Sequence, residues 1–265
     1  MNEVSLKSLI EPLHFDDATY SQYAIATTTN HFVRVFVPHS PQRKLIPGME
    51  LSSKRKASKL GIQTEDDLKR ALRRAKQNVR DICFSNTFDL FGTFTFAKDR
   101  SNDDKLTQRM IDWLKNQKKK WGNFDYIIVK ERQKDGTLHF HALMSGFKGK
   151  LKAAINPKTG KNIYEKGRKV YNFSGYKSGF TTCVKIDRGI QSQEKVISYL
   201  VKYLTKEKAS FKGKKRYWTS RSLKRPKIEV NPDDWYEELD PVYSHVNEYG
   251  KTLICTVESV DRVKA

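Results

Sequence analysis

Hydrophobic and polar residues alternate along residues 138–144, LHFHALM. Leu138, Phe140 and Ala142 occupy every second position, and His139 and His141 stand between them. Successive side chains of a β-strand point to opposite faces of its sheet. The pattern therefore predicts a strand with one apolar face for packing and two imidazoles together on the other face.

A second predicted strand, residues 124–132, lies just upstream, and a short polar segment containing Gly136 connects the two as a hairpin. A three-residue loop with a left-handed Gly136 would set Glu131 opposite His139, on the histidine face. A two-residue loop would move Glu131 to the other face. In the first register Glu131, His139 and His141 are candidate ligands for Mg²⁺ or Mn²⁺, because a carboxylate and imidazoles suit a divalent metal.

Residues 193–207 carry hydrophobic side chains at the spacing of an amphipathic helix. At about 100° per residue, the aliphatic residues between Val196 and Leu204 fall on one arc. The opposite arc carries Tyr199, Lys202, Tyr203 and Lys206. We expect the phenols to lie off the core, where a phenol can attack a phosphodiester while an ammonium group stabilises the charge. A basic face that only binds nucleic acid is the alternative.

The two ends of the chain have weaker patterns. A capping residue and early acids at residues 64–67 begin a predicted helix that runs to about Cys83. Short apolar runs predict two hairpins, one from residues 23–27 and 32–36 and one from residues 242–246 and 252–257. The sequence leaves open whether these hairpins pair with each other or with the main sheet.

The charge of the chain is strongly basic and unevenly distributed. Its 265 residues include 51 Lys and Arg against 30 Asp and Glu, a net charge of +21. Residues 148–227, which contain the tyrosine segment, hold 23 basic and 4 acidic residues, whereas residues 228–265 hold 3 basic and 9 acidic residues. Such a balance is typical of a protein that binds a polyanion, but charge alone does not separate DNA from RNA.

Aromatic residues alternate with lysines and arginines in the same basic stretch. This mixture binds single strands, since cations contact phosphates and rings stack on unpaired bases. The candidate DNA-binding residues that follow the tyrosine helix are Arg216, Trp218, Arg221 and Lys224. The chain carries no P-loop spacing, so the sequence indicates no helicase motor.

Several motifs together resemble the HUH endonucleases that initiate rolling-circle replication of bacterial plasmids and phages. Residues 91–96 (FGTFTF) resemble the first motif of that family, residues 139–141 (HFH) its second, and residues 199–206 (YLVKYLTK) its third, in a doubled form. Residues 216–223 are also similar to replication initiators. The resemblance covers about residues 65–225. A tyrosine that follows the histidines favours an initiator or a transposase over a relaxase.

The resemblance implies an α+β protein built on an antiparallel five-stranded sheet of the ferredoxin-like or RRM-like kind, with helices. It implies a Mg²⁺- or Mn²⁺-dependent enzyme that nicks and rejoins single-stranded DNA at a replication origin through a 5′-phosphotyrosine. Tyr203 would be the primary nucleophile and Tyr199 the second, although the Tyr199 frame also fits, and Lys202 and Lys206 would support them. Single-tyrosine initiators have a glutamate at the position of Tyr199, which favours the two-tyrosine type here.

The implied partners are origin DNA and the helicase and DNA polymerase of a bacterial host. We expect an N-terminal hairpin, linker and helix in residues 1–84, the endonuclease domain in 85–227 and an acidic hairpin region in 228–265. Three separate cysteines, with no signal peptide or apolar run of membrane length, favour the cytoplasm and no membrane partner. The alternatives are a transposase of the same chemistry and a non-catalytic nucleic-acid-binding protein.

Overall fold

The computed structural model describes residues 20–21, 24–39, 42–43, 65–100, 102–133, 135–204, 216–231, 235–247 and 249–264. In chain order the strands are β1 (Tyr20–Ser21), β2 (Ala24–Thr28), β3 (Val33–Pro38), β4 (Gln42–Arg43), β5 (Leu90–Phe96), β6 (Asp125–Arg132), β7 (Leu138–Ser145), β8 (Leu151–Ala153), β9 (Tyr164–Glu165), β10 (Arg168–Phe173), β11 (Gly179–Lys185), β12 (Tyr217–Thr219), β13 (Lys227–Asn231), β14 (Tyr243–Asn247) and β15 (Gly250–Cys255). The helices are α1 (Glu65–Phe84), α2 (Asp103–Trp121), α3 (Ile190–Tyr203) and α4 (Val257–Lys264), and a short 3-10 helix spans Trp235–Glu238.

The chain divides into two compact units. The first contains the described parts of residues 1–28, 32–60 and 227–265, and the second contains residues 29–31 and the described parts of 61–226. Helix α1 therefore falls in the second unit. The predicted division into three regions stays a prediction, because compactness alone does not show which segments fold independently.

The predicted α+β class with antiparallel sheets is confirmed. In the second unit the strand order is β12-β6-β7-β5-β11-β10-β8, with β9 paired to β10, and the neighbours are antiparallel. This larger sheet carries His139 and His141 on β7. A five-stranded antiparallel sheet, β13-β2-β3-β15-β14, forms in the first unit.

One face of the larger sheet packs against α2. The helix begins after Asn102, whose side chain accepts a hydrogen bond from the Lys105 N–H at 3.0 Å and so caps the first turn. The shared core contains Leu90, Phe94, Phe96, Leu106, Met110, Trp113, Leu114, Phe124, Ile128, Leu138, Phe140, Ala142, Met144 and Phe173. Burying one side chain such as Phe140 contributes about 1.5–3 kcal/mol. A one-residue slip of β7 would expose this set, so the packing holds the histidines on the opposite face.

Strands β6 and β7 form the predicted hairpin, with Glu131 opposite His139. Gly136 has a φ of +80°, a left-handed conformation that glycine adopts without strain. The Gln133 N–H donates to the Thr137 carbonyl at 2.8 Å, which closes the loop. The three-residue loop is therefore confirmed, and Glu131 lies on the histidine face of the sheet.

Helix α3 lies on the histidine face, next to α1. Its first turn is anchored by Gln193, whose side chain is buried. The Gln193 amide donates to the carbonyls of Phe88 at 2.7 Å and Asp187 at 2.9 Å, and accepts from the Phe88 N–H at 3.1 Å. These bonds join the start of α3 to the segment just before β5, and so set the position of the tyrosines over the sheet.

The two ends of the chain build the sheet of the first unit together. Both predicted terminal hairpins are present, as β2 with β3 and as β14 with β15. Strand β15 pairs with β3 from Gly250 opposite Pro38 to Cys255 opposite Val33, and β13 pairs with the other side at β2. The terminal hairpins therefore pair with each other, which settles the alternative that the sequence left open.

Candidate active site

Glu131 and His141 form a buried pair on the histidine face. The Nε2 of His141 lies 2.6 Å from Glu131 Oε2, and the histidine and the glutamate are 3% and 1% exposed. The other ring nitrogen, Nδ1, lies 3.1 Å from the hydroxyl of Thr93 on β5. The tautomer that satisfies both contacts has Nε2–H donating to Glu131 and the Thr93 hydroxyl donating to Nδ1. Thr93 belongs to the first resemblance motif, but its spacing alone did not assign it this role.

His139 lies beside the pair and is half-buried. The side-chain amide of Gln133 donates to Glu131 Oε2 at 3.1 Å and approaches Nδ1 of His139 at 3.3 Å, so it bridges the two. Burial and the neighbouring His141 lower the pKa of His139 below its ordinary value, against the opposing charge of Glu131. The neutral imidazole that results is the form that binds metals. Gln133 was not among the predicted site residues, although its spacing from Glu131 puts both on one strand face.

The donor set of Glu131, His139 and His141 suits a divalent cation, because carboxylate oxygen and neutral imidazole nitrogen are common ligands of such ions. In the described part of the chain, however, no three His, Cys, Asp or Glu side chains stand in an arrangement ready to hold a metal. The Glu131–His141 hydrogen bond joins two of the donors directly. Metal binding would therefore replace that hydrogen bond.

Tyr203 stacks directly on His141. The two ring centroids are 3.5 Å apart with an interplanar angle of 7°, and Tyr203 is only 7% exposed. The prediction that both tyrosines lie off the core is therefore wrong for Tyr203. The physical reason is that α3 packs against α1 and also against the sheet, so its buried surface is wider than the single aliphatic arc.

Tyr199 lies one turn before Tyr203 and is 41% exposed. Its ring meets that of Tyr203 edge-on at 4.9 Å and that of Phe91 at 5.5 Å. Both phenols are thus brought to the carboxylate and imidazole cluster, one covered and one open to solvent. This is the arrangement that the spacing of the two tyrosines on one helix produces.

The environment of Tyr203 favours the neutral phenol. Burial raises the pKa of its hydroxyl well above the ordinary value, and a hydrogen bond with Tyr199 and the negative charges of Glu131 and Glu165 raise the pKa further. A phenolate at this position therefore requires positive charge nearby. Lys202 is exposed on α3, whereas Lys206 lies outside the described residues.

The predicted DNA-binding residues do not all reach this face. Trp218 pairs with Ile128 across β12 and β6, so it points toward the α2 side, where it packs on Phe140 with centroids 5.6 Å apart. Its neighbour Tyr217 pairs with Val129 and lies on the histidine face. Arg216 directly precedes β12, and Arg221 and Lys224 follow it and are exposed.

Residues 89–208 match a protein family described as replication-associated protein of the ORF2 type. The matched stretch runs from the start of β5 past the end of α3, so it includes Thr93, Glu131, both histidines and both tyrosines. Over this stretch the chain is similar to replication-associated proteins, which supports a role of the Rep type. Neither a curated protein nor a solved structure matches the chain. Among the described helices, none has the length and apolar character needed to span a bilayer.

Proposed function

We propose that the chain is a replication initiator of the two-tyrosine HUH type. It would nick and rejoin single-stranded DNA at an origin and so start rolling-circle replication. The observation that carries the proposal is the stack of Tyr203 on His141, whose other ring edge bonds Glu131. A nucleophile, an imidazole and a carboxylate thus meet on one open sheet face, within the segment that is similar to replication-associated proteins.

In the proposed cleavage step the oxygen of one tyrosine attacks the scissile phosphorus in line with the 3′ oxygen. A bond forms between the tyrosine oxygen and phosphorus, and the bond from phosphorus to the 3′ oxygen breaks. The phenol proton leaves the tyrosine and a proton is taken up by the 3′ oxygen. The products are a 5′-phosphotyrosine and a free 3′-OH, and the reverse reaction rejoins the strand.

The residues that would hold a divalent ion are Glu131, His139 and His141. Mg²⁺ or Mn²⁺ bound there would supply a Lewis acid for the scissile phosphate. Thr93 and Gln133 would orient these ligands, because each contacts a ligand atom directly.

Lysine side chains of α3 and of the segment after it would offset the negative charge that develops on the phenol and on phosphorus. The raised pKa of Tyr203 makes this contribution necessary, since the buried phenol gives up its proton reluctantly. Lys202 is the described candidate and Lys206 the other. Tyr199, being more exposed, would act as the second nucleophile that ends a round of replication.

The free 3′-OH would prime the DNA polymerase of a bacterial host, and a host helicase would separate the strands. The chain would therefore act in the bacterial cytoplasm on origin DNA. The similarity to replication-associated proteins favours initiation over transposition, which uses the same chemistry.

The proposal is tested by capture of the covalent intermediate. Both single strands of the DNA element that encodes the chain are tiled as oligonucleotides, labelled at the 3′ end and incubated with protein and Mn²⁺. A denaturing gel should show a labelled protein band, because the 3′ label stays on the fragment joined through its 5′ phosphate. Tyr203→Phe should abolish the first cut, Tyr199→Phe should leave it, and Tyr164→Phe, an exposed control, should change nothing.

Strong binding of every oligonucleotide without any labelled protein band would contradict the proposal and favour a binding protein. A band that persists in the variant lacking both Tyr199 and Tyr203 would also contradict it.

A further inference from the structure

A row of four residues crosses the larger sheet at the level of His139. Glu131 pairs with His139, His139 with Thr95, and Thr95 with Phe180 on β11. Directly opposed residues share a face of the sheet, so Phe180 lies on the same face as the candidate metal ligands. It is two strands away from His139, roughly 10 Å at the usual strand spacing.

Phe180 is 75% exposed, whereas the other phenylalanines of β5, β7 and β10 are mostly buried. Exposure of a single phenylalanine is common and by itself indicates nothing. The position of this ring is the informative feature, since it flanks the site on the side opposite Glu131. The described chain therefore presents an aromatic ring beside the tyrosines and histidines, where a bound strand would pass.

The backbone that carries Phe180 is held firmly. A Cβ at the preceding Gly179 would lie 2.2 Å from the Thr95 carbonyl oxygen, so the two strands approach too closely there for any side chain. On the following residue, the Thr181 hydroxyl accepts from the Phe173 N–H at 3.0 Å. The ring thus projects from a fixed strand, which lowers the entropic cost of stacking on it.

Positive charge continues the row beyond Phe180. The Ser174 N–H donates to the Lys150 carbonyl at 3.0 Å, which joins the end of β10 to the residue before β8. Lys152 pairs with Asn172 in the adjacent row, and both Lys150 and Lys152 are exposed. An aromatic ring followed by lysines is the combination that binds single-stranded nucleic acid, because bases stack on the ring and phosphates meet the ammonium groups.

We infer that Phe180 is a base-stacking platform for single-stranded DNA. Its ring would hold a base about one or two nucleotides from the scissile phosphate and so place that phosphate over the histidine and tyrosine cluster. Lys150 and Lys152 would contact the phosphates beyond it. This inference rests on the proposed function for the identity of the strand, but stacking is measurable without cleavage.

The test uses the full chain and oligothymidylate that carries one 2-aminopurine, in EDTA so that no cleavage occurs. Stacking quenches the fluorescence of 2-aminopurine. Phe180→Ala should weaken binding roughly 10- to 100-fold and abolish the quenching, whereas Phe180→Trp should retain both. Tyr243→Ala, at a ring that is 58% exposed in the other unit, is the matched control and should bind like the unchanged protein.

Equal binding and equal quenching by Phe180→Ala and the Tyr243→Ala control would overturn the inference. Loss of binding in both Phe180→Ala and Phe180→Trp would overturn it as well, because a ring would then not suffice. On a strand that forms the covalent adduct, Phe180→Ala should raise KM more than it lowers kcat.

The two proposals can fail separately. Absence of any adduct, with quenching that still depends on Phe180, would remove the nickase and keep the stacking platform. An adduct that forms with unchanged KM in Phe180→Ala would keep the nickase and remove the platform.

Discussion

The stack of Tyr203 on His141 joins two parts of the chain that are far apart in sequence, the hairpin β6–β7 and the helix α3. On the other side of the imidazole, Thr93 and Glu131 hold the two ring nitrogens. The ring is therefore fixed in its plane by hydrogen bonds and covered on one face by a phenol. A histidine oriented in this way has little freedom to lose when it binds a ligand.

Thr93→Val should weaken the binding of Mn²⁺ about 10- to 100-fold, because Nδ1 of His141 loses its hydrogen-bond donor. Valine has a similar shape and suits a strand, so the fold should persist. Isothermal titration with Mn²⁺ measures the affinity. Thr182→Val is the control, since Thr182 pairs with Thr93 on the same face but is exposed. Equal losses in both variants would show that the Thr93 contact has no special role.

Glu131→Gln should reduce Mn²⁺ affinity by at least about tenfold, because an amide replaces the carboxylate ligand. The amide oxygen can still accept from Nε2–H of His141, which keeps the buried contact satisfied. Thermal unfolding with and without Mn²⁺ provides the readout, since a ligand of the native state raises the melting temperature. An unchanged Mn²⁺-dependent rise in Glu131→Gln would remove Glu131 from the proposed ligand set.

Among the elements, β11 carries the tightest backbone approach near the site. Gly179→Ala should destabilise the fold by about 1–3 kcal/mol, because its Cβ would lie 2.2 Å from the Thr95 carbonyl oxygen. Denaturant unfolding measures the change. Gly189→Ala is the control, because a Cβ there meets no atom within 4 Å, and its cost should stay below about 1 kcal/mol. Similar losses in the two variants would contradict the close approach of β11 to β5.

The hairpin and the helix show what local sequence can predict. Alternation along β7 and Gly136 in the loop were sufficient to predict two strands, their register and the shared face of Glu131 and His139. The apolar period of α3 predicted the helix but not the burial of Tyr203. A hydrophobic arc identifies one packing surface, whereas α3 contacts both α1 and the sheet. Trp218 was misplaced for a related reason, since the parity of β12 depends on its pairing with distant β6.

In the molecule as a whole, the first unit is assembled from both ends of the chain. The sequence predicted each terminal hairpin but not their pairing, because no local signal reports which strands meet across most of the length of the chain. The strand pairs of the larger sheet, in contrast, lie entirely between Leu90 and Thr219. The two sheets therefore depend on different parts of the chain.

Deletion of residues 235–265 should speed amide hydrogen exchange in β2 and β3, because β3 loses the six residues with which β15 pairs. Exchange in β5, β6 and β7 should change little, since their partners remain. Hydrogen exchange with mass spectrometry separates the two regions. Unchanged protection of β2 and β3, or equal loss in both sheets, would contradict this division.

The central claim is that a tyrosine of α3 becomes joined to the 5′ phosphate of a nicked strand. The most direct measurement isolates the covalent adduct, digests it with trypsin and locates the nucleotide by mass spectrometry. Cleavage after Lys195, Lys202 and Lys206 separates Tyr199 from Tyr203. We predict that the first cut places the nucleotide on the peptide 203–206, and that the peptide 196–202 carries it only after a second transfer. A nucleotide found on neither peptide would contradict the account.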